Sequence, residues 1–336
     1  MNIPFRSVSL VVPVFNEQGN LAGLVQRCLK VGKSFGCDFE LILVDDGSTD
    51  SSPSIIRSSA DHSEGQVVGI LLNRNYGQHA AVMAGFAQAR GDVIVTLDAD
   101  LQNPPEEIPK LLAAISAGHD VVGGVRRVRR DSALRRLASR MMNDLMRRIT
   151  GVAITDYGCM LRAYRRDVVD AVLACHERSP YVPALANSFA GHVAEVLVEH
   201  EERQAGESKY ALWSLINLYF DLLVSATTRP LRLLSTVGAG LAVSGLGFGV
   251  LLLILRLIYG AAWAAEGVFT IFAALFVFLG AQFIGMGLLG EYIGRISRDV
   301  QGRPRYVVHE VVGAALPRVA GEGKADVIPG TQELAP

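Results

Sequence analysis

A chain of 336 residues carrying 32 Lys and Arg against 33 Asp and Glu, net charge −1, has no overall field to draw it to nucleic acid, so an anionic partner must be met by a local patch. Half of the residues (50%) are hydrophobic and the mean hydropathy is +0.30, enough for one large or two ordinary domains with a sizeable core, and high for a soluble enzyme. Cys28, Cys37, Cys159 and Cys175 form no Cys-x-x-Cys pair, which argues against a zinc site or a disulfide framework and fits a reducing compartment.

Met1 leads almost directly into the apolar run Val8 to Val14, with no basic segment, apolar core and cleavage site of a signal peptide, so the first half is expected to stay cytoplasmic. That run predicts a buried strand ended at Pro13, followed by the loop Phe15 to Asn20 and a helix from Leu21. A second strand, Phe39 to Val44, enters Asp45-Asp46-Gly47-Ser48-Thr49-Asp50, where Ser and Asp are expected helix caps, one of the Asp45/Asp46 pair among them. Strand Val67 to Leu72, helix Gln78 to Arg90 and a β-branched run from Gly91 to Val95 come next. Strands alternating with helices predict a parallel sheet covered on both faces, with ligands beyond the carboxyl ends of its strands. The Pro13 loop, Asp45/Asp46, Asn73 to Gln78 and Asp98/Asp100 all fall at that edge. There is no Gly-x-Gly-x-x-Gly or Walker sequence to support a dinucleotide or P-loop reading.

The stretch Thr96-Leu97-Asp98-Ala99-Asp100-Leu101-Gln102-Asn103-Pro104 ends the last of these strands. Residues two apart in extended chain point to the same side, so the carboxylates of Asp98 and Asp100 can converge on one hard cation. Taken alone, the same residues also read as a solvated turn with a helix cap. Pro104 and Pro105 stop the strand and open a helix.

Beyond the strand Asp120 to Val125 lie Arg126, Arg127, Arg129, Arg130, Arg135, Arg136, Arg140, Arg147 and Arg148, with Leu134, Leu137, Met141, Leu145 and Ile149 at helical spacing. This basic amphipathic helix suits an anionic membrane surface or a phosphate-bearing lipid; it lacks the interleaved aromatics of a nucleic-acid surface. A short strand, Val196 to His200, precedes a polar loop, and Leu212 to Val224 reads as an amphipathic helix at a membrane interface. Two segments, about 237–258 and 268–289, reach the ~20 residues needed to span a bilayer. Their connection, 259–267, holds no Lys or Arg, whereas Arg229 and Arg232 precede the pair and Arg295, Arg298, Arg303 and Arg305 come after it. Both ends are therefore expected in the cytoplasm and the hairpin outside it. Gly280, Gly285, Gly287 and Gly290 predict close helix packing and hint at an oligomer. The tail after Gly313 is rich in Gly, Ala and Pro and predicted disordered.

Val-Val-Pro-Val-Phe-Asn-Glu from Val11, Val-Asp-Asp-Gly-Ser-Thr-Asp from Val44 and Leu-Asp-Ala-Asp-Leu-Gln-Asn-Pro-Pro from Leu97 resemble the inverting, nucleotide-sugar-dependent glycosyltransferases of family 2 with the GT-A fold. Leu72 to Pro109, Asp156 to Asp170, Gly206 to Tyr210, Trp263 to Gln282 and Gly285 to Ile296 extend the likeness to the family of undecaprenyl-phosphate 4-deoxy-4-formamido-L-arabinose transferases, bacterial inner-membrane enzymes. The resemblance implies a cytoplasmic, Rossmann-like α/β GT-A domain over 1–210, an interfacial helix over 211–232, two transmembrane helices within 233–292 and a cytoplasmic segment over 293–336. It implies transfer of the formylated aminopentose from UDP to undecaprenyl phosphate, toward lipid A modification and polymyxin resistance; glucosyl or mannosyl transfer to the same kind of lipid shares these motifs.

The resemblance also assigns residues. Pro13, Asn16, Glu17, Asp45 and Asp46 line the uridine site, with Gln102 among the donor-binding groups. Asp98 and Asp100 hold Mg or Mn, Asp156 lies near the acceptor as base or orienting group, and Arg203, Ser208 and Lys209 lie near the diphosphate and the lipid phosphate. A homotetramer is the expected assembly.

Overall fold

The computed structural model describes residues 5–63, 65–126, 159–175, 181–200, 229–259, 268–301 and 304–313. The predicted basic helix from Ser132, the segment holding Asp156, the loop with Arg203, Ser208 and Lys209, the interfacial helix and the tail after Gly313 lie outside them.

The first half builds as the hydrophobic pattern predicts. Strand β1 (Ser7–Val14) leads to helix α1 (Gln18–Gly32), β2 (Asp38–Asp45) to α2 (Ser52–Asp61), and β3 (Val67–Leu72) to α3 (Gln78–Gln88). Then β4 (Val93–Thr96) runs into the Asp98–Asp100 loop, and Pro105 opens a 3-10 turn ahead of α4 (Ile108–Ser116). The run β5 (Val121–Arg126), β6 (Arg162–Arg165), α5 (Arg166–Ala174), α6 (Val182–Phe189) and β7 (Val193–Val198) completes this half.

Eight strands form one sheet in the order β7-β5-β6-β4-β1-β2-β3-β8, the last being Val308–Val312. The all-parallel expectation is corrected here. Strands β1 to β4 are parallel, but β6 lies antiparallel between β4 and β5, and β8 pairs antiparallel with β3. Alternation along β1 divides the core: Val8, Leu10, Val12 and Val14 join one buried cluster with α1 and α4, while Val11 joins the other with α3. Gly85 lets α3 come down on Val11, whose methyl group occupies the space where a side chain at 85 would begin.

After this domain come α7 (Arg229–Tyr259, 31 residues) and α8 (Val268–Val300, 33 residues). Among the described residues no helix is long and apolar enough to cross a membrane. Large apolar side chains on both helices are nevertheless exposed, among them Leu257, Ile258, Phe283 and Ile284. The close approach between α7 and α8 is made at Gly245, where a Cβ would stand 2.8 Å from the Phe278 ring; around Gly280, Gly287 and Gly290 a Cβ would meet nothing within 4 Å. Among the described residues, then, these three glycines stand clear of α7.

Candidate active site

Four loops at the carboxyl ends of β1, β2, β3 and β4 meet at one edge of the sheet. The first two are laced together. Asn16, held at φ 56°, accepts the Thr49 N–H on Oδ1 at 2.8 Å and donates its own N–H to Ser48 Oγ at 2.9 Å. The N–H of Glu17 reaches Ser52 Oγ at 3.1 Å, and that of Gln18 reaches Asp50 at 3.1 Å. Asn16 thus ties the loop after β1 to the loop after β2. Pro13 sits within β1, paired with Val44.

Asp45 and Asp46 are both 2% exposed, and neither caps α2, correcting the expected capping role. Asp46 accepts the Tyr76 N–H on one oxygen at 2.7 Å and the Gly77 N–H on the other at 2.9 Å. Both its oxygens are committed to the loop after β3. Asp45 accepts the Ser48 N–H at 3.2 Å on Oδ2, while Oδ1 is buried without a hydrogen-bond partner among the described residues. Burial raises both carboxyls above the usual range, opposed at Asp45 by Ser48 and at Asp46 by the two amides. Of the pair, Asp45 is the one with an acceptor to offer.

Between these loops Gly47 stands at φ +67°, where a Cβ would lie 2.6 Å from the Asn75 nitrogen and as close to the Arg74 backbone. Gly47→Ala is therefore expected to cost about 2–4 kcal/mol, from the left-handed backbone and the displaced 74–75 peptide together. Urea unfolding reads it directly; an unchanged midpoint would contradict the contact.

Asp98 accepts from Gln78 Nε2 at 2.6 Å on Oδ1, and Asp100 accepts the Gln102 N–H at 3.1 Å on Oδ1. Leu101, between Asp100 and Gln102, takes φ 61°, an uncommon backbone for a bulky residue. The Asp98 carboxyl is pushed up to about 7, first by burial and next by the Asp100 charge, with Gln78 and Arg126 acting the other way. The paired acids thus sense each other, and each keeps one oxygen without a hydrogen bond among the described residues. An oxygen-only donor set of this kind fits a hard divalent cation better than a soft one. Among the described residues no group of three His, Cys, Asp or Glu could enclose a metal, so a cation here needs oxygens from elsewhere, as phosphate or water supplies. Gln102 contributes its main-chain N–H to Asp100.

The sequence places Asn73 to Gln78 at this edge, but not the bonds made there: the Tyr76 and Gly77 amides serve Asp46, and Gln78, in the first turn of α3, sets its amide over the Asp98 loop. The next residue, His79, is driven down to about 4 by burial; its ring meets Tyr181 edge-on at 4.9 Å. A base held low in the fold contributes fully above its unfolded value near 6.5 and loses that contribution as pH falls toward 4. His79→Phe is expected to flatten the loss of thermal stability between about pH 7 and pH 4.5. Parallel melting curves of equal slope against pH for both proteins would contradict it.

The family model for glycosyl transferase family 2 matches residues 9–173. A protein of Shewanella sediminis named undecaprenyl-phosphate 4-deoxy-4-formamido-L-arabinose transferase is 59% identical over 326 residues, 96% of this chain and 98% of that one. The chain belongs to this family. A Yersinia pestis protein of the same name is 57% identical over 314 residues, covering 94% of this chain and 96% of its own. Among solved structures, glucosyl-3-phosphoglycerate synthase of Mycobacterium tuberculosis, in complex with Mn2+, uridine diphosphate and glucosyl-3-phosphoglycerate, shares 17% identity and a TM-score of 0.48 over 67% of this chain and 79% of that one. Family 2 membership gives the mixed sheet its place as a GT-A glycosyltransferase domain, and the loops at its carboxyl edge are those that carry the family's motifs.

Proposed function

We propose that this protein transfers 4-deoxy-4-formamido-L-arabinose from its UDP carrier to undecaprenyl phosphate, in the route to lipid A modification and polymyxin resistance. The observation that carries the reading is identity of 59% over 98% of a transferase bearing that name. The site agrees with it. Asp45 offers a buried carboxylate oxygen to a uracil N–H or ribose hydroxyl, with Pro13, Asn16 and Glu17 forming the adjoining wall.

Asp98 and Asp100 would hold Mg or Mn; when bound, a divalent cation offsets the charge that gathers on departing UDP. The lipid phosphate is a monoester with a second pKa of about 6, by analogy with phosphorylated side chains, so at neutral pH its oxygen attacks the anomeric carbon without needing a strong base. As the new C–O bond forms, the bond from that carbon to the UDP oxygen breaks, inverting the centre. Asp156 then orients the acceptor, and Arg203, Ser208 and Lys209 meet the phosphates.

The helix pair enters the membrane through 237–258 and 268–289, with the catalytic domain on the cytoplasmic side of a bacterial inner membrane. Support comes from the apolar runs over both spans in the sequence and from the apolar side chains that the described parts of the two helices expose. The glycines of α8 left open by α7 favour packing against further copies, as in a tetramer.

A donor panel tests the reading. Purified protein is offered UDP-4-deoxy-4-formamido-L-arabinose, UDP-glucose and UDP-mannose with undecaprenyl phosphate, and the lipid product is weighed by mass spectrometry. The formylated aminopentose is the expected donor. Transfer of glucose or mannose in its place would refute the assignment, and UDP binding with no labelled lipid would point to a non-catalytic nucleotide-binding scaffold.

A further inference from the structure

After α8 the chain does not trail away. Tyr306 packs against the buried cluster beneath β3, and β8 then adds to the sheet edge, pairing Val308 with Leu72, Glu310 with Leu71, Val311 with Ile70 and Val312 with Gly69. His309 is the extra residue of the bulge between the first two of these pairs. The strand is seated by shape and charge. Gly69 leaves room for Val312, whose methyl would stand 2.6 Å from a Cβ at 69. Arg57 on α2 holds Glu310 with two guanidinium nitrogens, at 2.7 and 3.0 Å. Gly313, at φ +73°, then turns closely over Val67 and Ala60.

From this seat a chain of hydrogen bonds leads into the donor pocket. Asn73, the first residue after β3, donates its N–H to Val307 O at 3.1 Å. Its side-chain oxygen accepts the Tyr76 hydroxyl at 2.8 Å, and the Arg74 guanidinium lies 4.8 Å from the centre of the Tyr76 ring. Tyr76 and its neighbour Gly77 give their N–H groups to Asp46, and Gln78 gives its amide to Asp98. One relay thus runs from the strand behind the helix pair, through residues 73–78, to both acidic pairs.

We infer that β8 is a positioning element for the donor site: the segment after α8 holds the Asn73–Gly77 loop in the shape that binds the nucleotide. The deduction rests on the proposed function, in which UDP lies at the edge of Asp45, Asp98 and Asp100 that this loop adjoins through Asp46 and Asp98. Bracing of this kind lowers the ordering cost that ligand binding otherwise carries, so its loss appears in donor affinity rather than in the bond-making step.

The test uses the full chain with Glu310→Arg, with Arg57→Glu and with both together, beside a chain ended after Arg305. Amide hydrogen exchange at Tyr76 and Gly77, UDP affinity by calorimetry, and KM and kcat for the UDP-sugar are read for each. Either single reversal is expected to speed exchange at the two amides and raise the UDP Kd about fivefold with kcat held, and the double variant to restore both. The shortened chain should weaken UDP by more than about tenfold; if it fails to fold, the charge exchange decides alone. Unchanged exchange and Kd in the single reversals, or a folded shortened chain with wild-type affinity, would overturn the inference. Faster exchange in variants of a protein that never takes up UDP would leave the brace standing and sink the reading of the pocket instead.

Discussion

Replacing either member of the acid pair, Asp98→Asn or Asp100→Asn, is expected to reduce sugar transfer about 10^3-fold, near 4 kcal/mol of transition-state stabilisation, while leaving the protein folded. Asn keeps the shape of the side chain and an oxygen for its existing bond. At position 98 it can still accept from Gln78, and at 100 it can still accept the Gln102 N–H. The change removes the charge that a divalent cation requires. It also removes a repulsion, because Asp98 is raised to about 7 by burial and by Asp100. Stability should accordingly hold or improve even as activity falls, which separates this loss from simple unfolding. Calorimetric titration of Mn2+ in the presence of UDP gives the second readout, and should show the heat of cation uptake largely gone in each variant. Transfer at the wild-type rate by either Asn variant would remove the acid pair from the reaction.

The donor edge was legible in sequence because short apolar runs each ended in a polar cluster: Val8 to Val14 before Asn16, Phe39 to Val44 before Asp45, Gly91 to Val95 before Asp98. Buried parallel strands have that pattern, and their carboxyl ends collect ligands. Strand Arg162–Arg165 carries an arginine at each end, with Arg162 fully buried, and nothing local places it antiparallel at the centre of the sheet. One strand escaped altogether. Val308–Val312 comes after a long helix and contains His309 and Glu310; nothing local announces that it returns to pair with a strand more than two hundred residues earlier. Strand order is a matter of long-range pairing, which periodicity does not encode. The division of labour between Asp45 and Asp46 was equally hidden. Adjacent residues of one type differ only in which neighbour each meets, and that neighbour, the 76–77 peptide, arrives from another loop.

Asp46→Ala should therefore be the more damaging change of the two, in stability as well as in binding. It leaves the Tyr76 and Gly77 N–H groups facing a space from which both acceptors have gone, at about 1–3 kcal/mol for each amide left unpaired. Asp46→Asn should fare little better, because its amide NH2 would confront one of the two N–H groups with a second donor. With the loop released, Gln78 is no longer fixed over Asp98, and UDP affinity should fall with it. Asp45→Ala makes a contrasting case. It frees groups of one short turn, the Ser48 N–H and hydroxyl and the Gly47 N–H, and discards a carboxylate oxygen that burial leaves unpaired among the described residues. Its urea midpoint should stay within about 1 kcal/mol of wild type, yet its UDP Kd should rise if that oxygen receives the nucleotide. Equilibrium urea unfolding and UDP calorimetry on the three variants decide between the roles. Equal loss of stability in Asp45→Ala and Asp46→Ala would show that the carboxylates share one structural task, and wild-type UDP affinity in Asp45→Ala would take that oxygen out of the nucleotide site.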